Sequence, residues 1–197
     1  MNSRCAVAAL ALFVTACAAP APRPVDDPLR AWDARRKALE ALTEFSAQGR
    51  VAAAGKGSAH LLWQQHGENF SLKLNGPFGA GAVLVDGTVE HVTVQDGDGR
   101  FDTDDPEATL AEMLGWKLPV RSLRWWALGL PSPAPIHGLT LDPAGRADLL
   151  VQDGWTVRYQ EYIPAGDFEL PRRYTLENDA AKVRVVVDQW TTGVSPP

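Results

Sequence analysis

Apolar positions along the chain change their period more than once. Leu29, Trp32, Leu39, Leu42 and Phe45 recur at three- and four-residue steps, broken by the polar face Arg35-Arg36-Lys37. Such spacing places them on one stripe and predicts an amphipathic helix over residues 28–44. Asp27 is positioned to cap it, with Pro28 as its first residue. After Phe45 the period falls towards two. Phe70, Leu72 and Leu74 alternate with Ser71 and Lys73, the pattern of a half-buried antiparallel strand. Short runs over 49–53, 58–65, 69–74, 82–85 and 89–94 are separated by Gly55–Gly57, Gly67-Glu68-Asn69 and Asp86-Gly87, which read as hairpin breaks.

Helical spacing then returns. Asp104-Asp105-Pro106-Glu107 is a start signal with acids in the first turn; Leu110, Met113 and Leu114 follow, and Gly115 stops the run. A second short helix is predicted over 122–128, with Leu123, Trp126 and Leu130 on one side and Gly129 and Pro131 closing it. Strands resume at 148–152, 155–162, 174–178 and 182–190. Within them Trp155, Val157 and Tyr159 face one way, while Val183, Val185 and Val187 alternate with Lys182, Arg184 and Val186. Nine to eleven evenly spaced antiparallel strands, roughly, and two or three helices predict one large curved sheet, closed or nearly so, with helices plugging its concave face. With no internal repeat or linker of domain scale, residues 28–197 read as one mainly β domain.

The amino terminus obeys a different pattern. Arg4 precedes an apolar run ending at Val14, followed by Thr15-Ala16-Cys17. A cationic tip, a short apolar core and small residues predict a secretory signal peptide over 1–16. The run is about 11 residues, against roughly 20 needed to span a bilayer. Plain cleavage after Ala16 competes with lipidation. Small residues before Cys17, aliphatic Val14 and the flexible run behind them favour the latter, and the segment resembles the bacterial lipobox. Cys17 would then carry diacylglycerol, residues 17–27 would form a Pro/Ala-rich tether, and Ala18 after the lipidated Cys resembles the signal for outer-membrane sorting.

Composition excludes more than it assigns. Cleavage before Cys17 of the 197-residue chain leaves 181 residues, ample for one core. Cys5 departs with the signal peptide, so the mature chain has no cysteine pair for an intrachain disulfide. A net charge of −5 with no basic block argues against nucleic acid. Seven Trp are many for this size and suit cores, apolar pockets and membrane interfaces alike. His60, His66, His91 and His137 lie in no metal-ligand spacing, no GxSxG is present, and no enzyme or cofactor is expected. Asp96-Gly97-Asp98-Gly99-Arg100-Phe101-Asp102 departs from a calcium loop at its sixth position, Phe101, and puts Arg100 at a ligand position; Glu107 at the twelfth is a single match, and the segment reads as a hairpin turn followed by helix capping.

Gly76-Pro77-Phe78-Gly79-Ala80-Gly81 lacks the Lys-Ser/Thr of a phosphate loop. A Phe buried in a turn and an exposed apolar finger both fit it. Several segments taken together narrow the reading: Trp32, Gly49, Trp63-Gln64-Gln65-x-Gly67, Gly76-Pro77-Phe78-Gly79, Leu118-Pro119-Val120-x-Ser122-Leu123-Arg124-x-Trp126, Leu128-Gly129-Leu130-Pro131, Gly154-Trp155-x-Val157-x-Tyr159, Leu170-Pro171 and Trp190. In their order and spacing, behind a lipobox, they resemble the LolB family of outer-membrane lipoproteins. The resemblance runs from Trp32 to Trp190.

It implies an unclosed antiparallel barrel of about eleven strands, lidded by helices over an apolar interior. It implies that the cavity takes the acyl chains of other lipoproteins from the periplasmic carrier LolA and passes them to outer-membrane lipid, the receiver itself being a monomer facing the periplasm. It also implies a protruding apolar residue in the membrane-insertion loop Pro77-Phe78-Gly79; the family typically has Leu there, and this chain has Phe78. Candidate cavity residues, from the alternating and helical apolar faces, are Trp63, Leu72, Leu74, Leu110, Met113, Leu114, Leu123 and Trp126. Two competing readings are a scaffold lipoprotein with a dry core and no ligand-sized pocket, and a barrel hydrolase or isomerase with clustered polar groups inside.

Overall fold

The computed structural model describes residues 22–76, 81–114 and 119–193, the side chains of Met113 and Leu114 excepted. Cys17 and the Pro77-Phe78-Gly79 loop lie outside the described residues. Helix α1 (Pro28–Glu40) opens the domain, with the Asp27 carboxylate accepting from the Arg30 amide at 3.0 Å. It is shorter than its apolar spacing predicts. Trp32 and Leu39 face the core from the helix, whereas Leu42 and Phe45 reach the same core from the turn and strand that follow.

Eleven strands then form a single sheet: β1 (Glu44–Ala53), β2 (Gly57–His66), β3 (Asn69–Gly76), β4 (Gly81–Gly87), β5 (Val92–Gln95), β6 (Arg100–Thr103), β7 (Ile136–Leu141), β8 (Ala147–Gln152), β9 (Trp155–Ala165), β10 (Phe168–Glu177) and β11 (Lys182–Thr192). Their order is β6-β5-β4-β3-β2-β1-β11-β10-β9-β8-β7, and every pairing is antiparallel. The long-range pairing of β1 with β11 joins two meanders into one sheet, while β6 and β7 remain edges. The barrel is therefore unclosed.

Gly49 marks the β1–β11 seam. The register shifts between Gln48 and Gly49, and a Cβ at Gly49 would stand 2.0 Å from the Val186 carbonyl oxygen. The residue is Gly because the neighbouring backbone occupies the space a side chain needs.

Helices α2 (Pro106–Leu114) and α3 (Val120–Ala127) fall between β6 and β7. Asp105 starts α2 by accepting from the Ala108 amide at 3.0 Å. α3 ends in a paired reversal: Gly129, at φ +78°, donates to Trp126 O at 3.1 Å, and Leu130 donates to Trp125 O at 2.9 Å. These bonds satisfy carbonyls that the last turn would leave unpaired.

Among the described residues, buried apolar side chains form two clusters. The larger includes Trp32, Leu39, Phe45, Trp63, Trp126, Leu150, Val157, Leu170 and Trp190. The smaller joins Val85, Val92 and Val94 of the β4–β5 region to Leu110 of α2 and Val120 of α3. Phe70 and Leu72 of β3 pack against both.

Candidate functional site: an apolar cavity under helix α3

Beside the two clusters lies a cavity of about 770 Å³. Trp63 of β2 and Phe70 and Leu72 of β3 form its floor, Leu123, Arg124 and Trp125 of α3 its roof, and Trp155 of β9 part of its wall. Around it stand Glu68, Thr88, Glu90, Glu107, Arg121 and Asp153. Its volume lies within the roughly 300–1,000 Å³ of small-molecule sites.

The floor is held by a short polar chain. Trp63 Nε1 donates to Gln65 Oε1 at 3.2 Å, and Gln65 Nε2 donates to Gly67 O at 2.9 Å. The motif Trp63-Gln64-Gln65-x-Gly67 thus has a local physical reason. Alternate residues of β2 share a face, and the amide of one fixes the indole of the other. Phe45 backs the same indole at 5.9 Å between ring centroids.

The roof is held by one buried amide. Gln152 Oε1 accepts from Trp126 Nε1 at 3.0 Å and from the Ser132 amide at 2.9 Å; its Nε2 donates to Ser132 O at 3.0 Å and to Ala134 O at 2.6 Å. All four positions of a fully buried side chain are satisfied. Tyr159 adds a bond from its hydroxyl to Trp126 O at 2.9 Å. At the start of α3, Ser122 Oγ donates to Asp153 and lies 3.0 Å from Ser132 Oγ. On the outer side, Arg121 reaches Glu90 of the β4–β5 turn at 3.9 Å, both exposed.

These bonds decide which side of α3 faces the cavity. Trp63, Leu72 and Leu123 of the sequence candidates line it. Trp126 does not: it is 1% exposed and turned into the core, where Gln152 accepts its indole N–H. Leu110 is buried in the smaller cluster. Leu74 continues the inward face of β3 but packs against the larger cluster, away from the cavity lining. Met113 and Leu114 belong to the last turn of α2, and their side chains are outside the description. Phe70, Arg124, Trp125 and Trp155 also line the cavity and are absent from the sequence candidates, although Trp155 alternates with Val157 and Tyr159 in the sequence. For Phe70 the signal was present, since it alternates with Leu72.

Comparison with known proteins fits this architecture. The family model for "Outer membrane lipoprotein LolB" matches residues 43–190, which is most of the chain and nearly all of the sheet. The chain belongs to the LolB family. A LolB outer-membrane lipoprotein of Alkalilimnicola ehrlichii is 38% identical over 196 residues, covering 96% of this chain and 98% of that protein. One from Chromohalobacter salexigens is 34% identical over 185 residues, covering 92% and 86%. One from Stutzerimonas stutzeri is 36% identical over 188 residues, covering 92% and 91%. The chain is an outer-membrane lipoprotein of this family, and its role lies in lipoprotein localisation. The cavity floor and roof both fall inside the matched segment.

Proposed function

We propose that this LolB-family chain receives lipoproteins from the carrier LolA by taking their acyl chains into the cavity under α3, and then releases them into the outer membrane. The observation that carries this reading is the cavity of about 770 Å³ beside two apolar clusters, floored by Trp63 and Leu72 and roofed by Leu123 and Trp125. A scaffold with a dry core has no use for such a space.

The energetics suit a receiver without catalysis or nucleotide. An acyl chain gains roughly 0.8 kcal/mol for each CH₂ removed from water. Direction requires only that each successive site bind more tightly, and about 1.4 kcal/mol per step is tenfold. Cys17, lipidated, would hold the cavity at the membrane to which cargo is delivered. Phe78, between Pro77 and Gly79, would act as the apolar probe that enters the bilayer during release.

The mature chain carrying Cys17→Ala should bind a fluorescent fatty-acyl probe and accept a lipoprotein from loaded LolA. Failure in both assays overturns the reading. Phe78→Glu should leave uptake unchanged while reducing insertion of cargo into vesicles; unchanged insertion would remove the loop from the mechanism.

A further inference from the structure

Apolar walls bind an acyl chain but do little to fix its position along its own axis, because dispersion and hydrophobic burial are non-directional. One charged group on the roof is suited to do so. Arg124 of α3 lines the cavity with its guanidinium 5.1 Å from the ring centroid of Trp125. Its Nη2 donates to Leu42 O at 3.0 Å, which ties α3 to the turn before β1. Its Nε is buried without a hydrogen-bond partner.

Two other shielded guanidiniums are neutralised by acids. Arg146 sits 2.7 Å from Asp142 and 3.3 Å from Glu169, and Arg172 sits 2.6 Å from Glu161. Arg35, which also has an unpartnered Nε, bonds to the Glu169 carbonyl and packs on the Tyr162 ring. Among the described residues Arg124 forms no ion pair within 4 Å, and the acid that acts on it, Glu68, does so only at longer range. A partly desolvated cation that lines the cavity without a close counter-ion calls for an oxygen acceptor.

The acids around the cavity select which oxygen. Glu68, Glu107 and Asp153 stand around the same space, with Glu90 offset by Arg121, and this excess of acids disfavours an anionic phosphate, whereas a neutral carbonyl incurs no such repulsion. We infer that Arg124 is the head-registering residue of the cavity, its guanidinium receiving the ester carbonyl oxygens where acyl chains join the cargo's glyceryl-cysteine head. The inference rests on the acyl-binding reading above. It deepens that reading by separating the group that sets the register from the groups that bury the chain.

The test uses the mature chain carrying Cys17→Ala and follows Trp fluorescence, since Trp63, Trp125 and Trp155 line the cavity. Three probes of equal chain length are titrated: a palmitoyl glycerol ester, the matching hexadecyl glycerol ether, and hexadecyl phosphate. The ester should bind about tenfold more tightly than the ether, with the phosphate weakest. Arg124→Met should abolish the ester preference while retaining ether binding, and Arg124→Lys should restore part of it. Loss of the Leu42 contact would affect ester and ether alike, so the ratio isolates the carbonyl. Equal binding of ester and ether to the parent chain overturns the assignment even if Arg124→Met fails to fold. So does a preference that survives in folded Arg124→Met. Tightest binding of hexadecyl phosphate would replace the carbonyl with an anionic head. Binding of none of the probes would overturn the acyl-cavity reading itself, and this inference with it.

Discussion

Gln152 shows how much one side chain can decide. It occupies a fully buried position, and its four hydrogen bonds join β8 to the Trp126 indole and to the Ser132–Ala134 backbone. Gln152→Leu keeps the volume roughly constant but leaves two donors and two carbonyls without partners. Each such group costs about 1–3 kcal/mol, so the variant should lose at least about 3 kcal/mol in urea unfolding. A smaller loss would mean that water enters to replace the amide. The three tyrosines of the chain make a second residue-scale case. Burial pushes the phenols of Tyr159, Tyr162 and Tyr174 upward, although Arg146 at 4.5 Å and Arg35 at 5.4 Å from the Tyr162 ring act in the opposite direction there. In the unfolded chain these groups lose their protons near pH 10, whereas the folded chain keeps them. Their contribution is complete below about pH 10 and should fall above it by up to about 1.4 kcal/mol per pH unit for each tyrosine. The tyrosinate absorbance should therefore rise together with loss of structure. Tyrosinate appearing in a folded protein would contradict this burial.

At the scale of elements, α3 is the piece on which the site depends. Its sequence reads as a short amphipathic helix, yet two adjacent indoles, Trp125 and Trp126, compete for the inward face. Periodicity alone selects Trp126 as a cavity residue. The buried acceptor on β8 instead draws Trp126 into the core and leaves Trp125 on the cavity side. The start of α3 is latched by Ser122 to Asp153, which occupies the β8–β9 hairpin at φ +53° beside Gly154 at φ +75°. Asn tolerates this left-handed conformation and keeps an acceptor, whereas Ala does neither. Asp153→Asn should remain close to the parent in thermal unfolding. Asp153→Ala should lose about 1–2 kcal/mol and speed amide exchange in α3. Equal stability of the two variants would remove the latch. Two strands escape sequence reading for a related reason. β6 (Arg100–Thr103) and β7 (Ile136–Leu141) are the sheet edges; β6 has no buried residue, and Ile136 and Phe101 remain exposed. An edge strand wet on both faces carries little alternation to detect. Residues 89–91 show the opposite error: they read as strand but belong to the β4–β5 turn, where the Thr88 amide donates to His91 O at 2.8 Å.

For the whole molecule the deciding property is that, among the described residues, a space of about 770 Å³ stays open under α3. The sheet leaves β6 and β7 unpaired to each other, and the helices between them roof the space instead of sealing it. Leu123→Trp tests this directly. In a dry core the added volume would cost about 1–3 kcal/mol through overpacking. In a hollow one it should leave the thermal midpoint unchanged or raised, while weakening acyl-probe binding by tenfold or more. Reduced stability with unchanged binding would mean that the space is not the binding site.

What the sequence determined by itself was whatever repeats along the chain. Strand alternation, the capped first helix, the Gly-bounded turns and the ordered motifs from Trp32 to Trp190 all lie in local spacing, and local spacing sets secondary structure and family. What only the tertiary structure decided was which apolar side chains meet one another and which face empty space. Trp63 and Leu72 line the cavity, whereas Trp126 and Leu110 are consumed by packing. The physical reason is that a cavity is a property of the packed whole. The same Leu or Trp gains similar burial against a neighbour or against cargo, so its own position in the sequence carries no mark of which partner it will have.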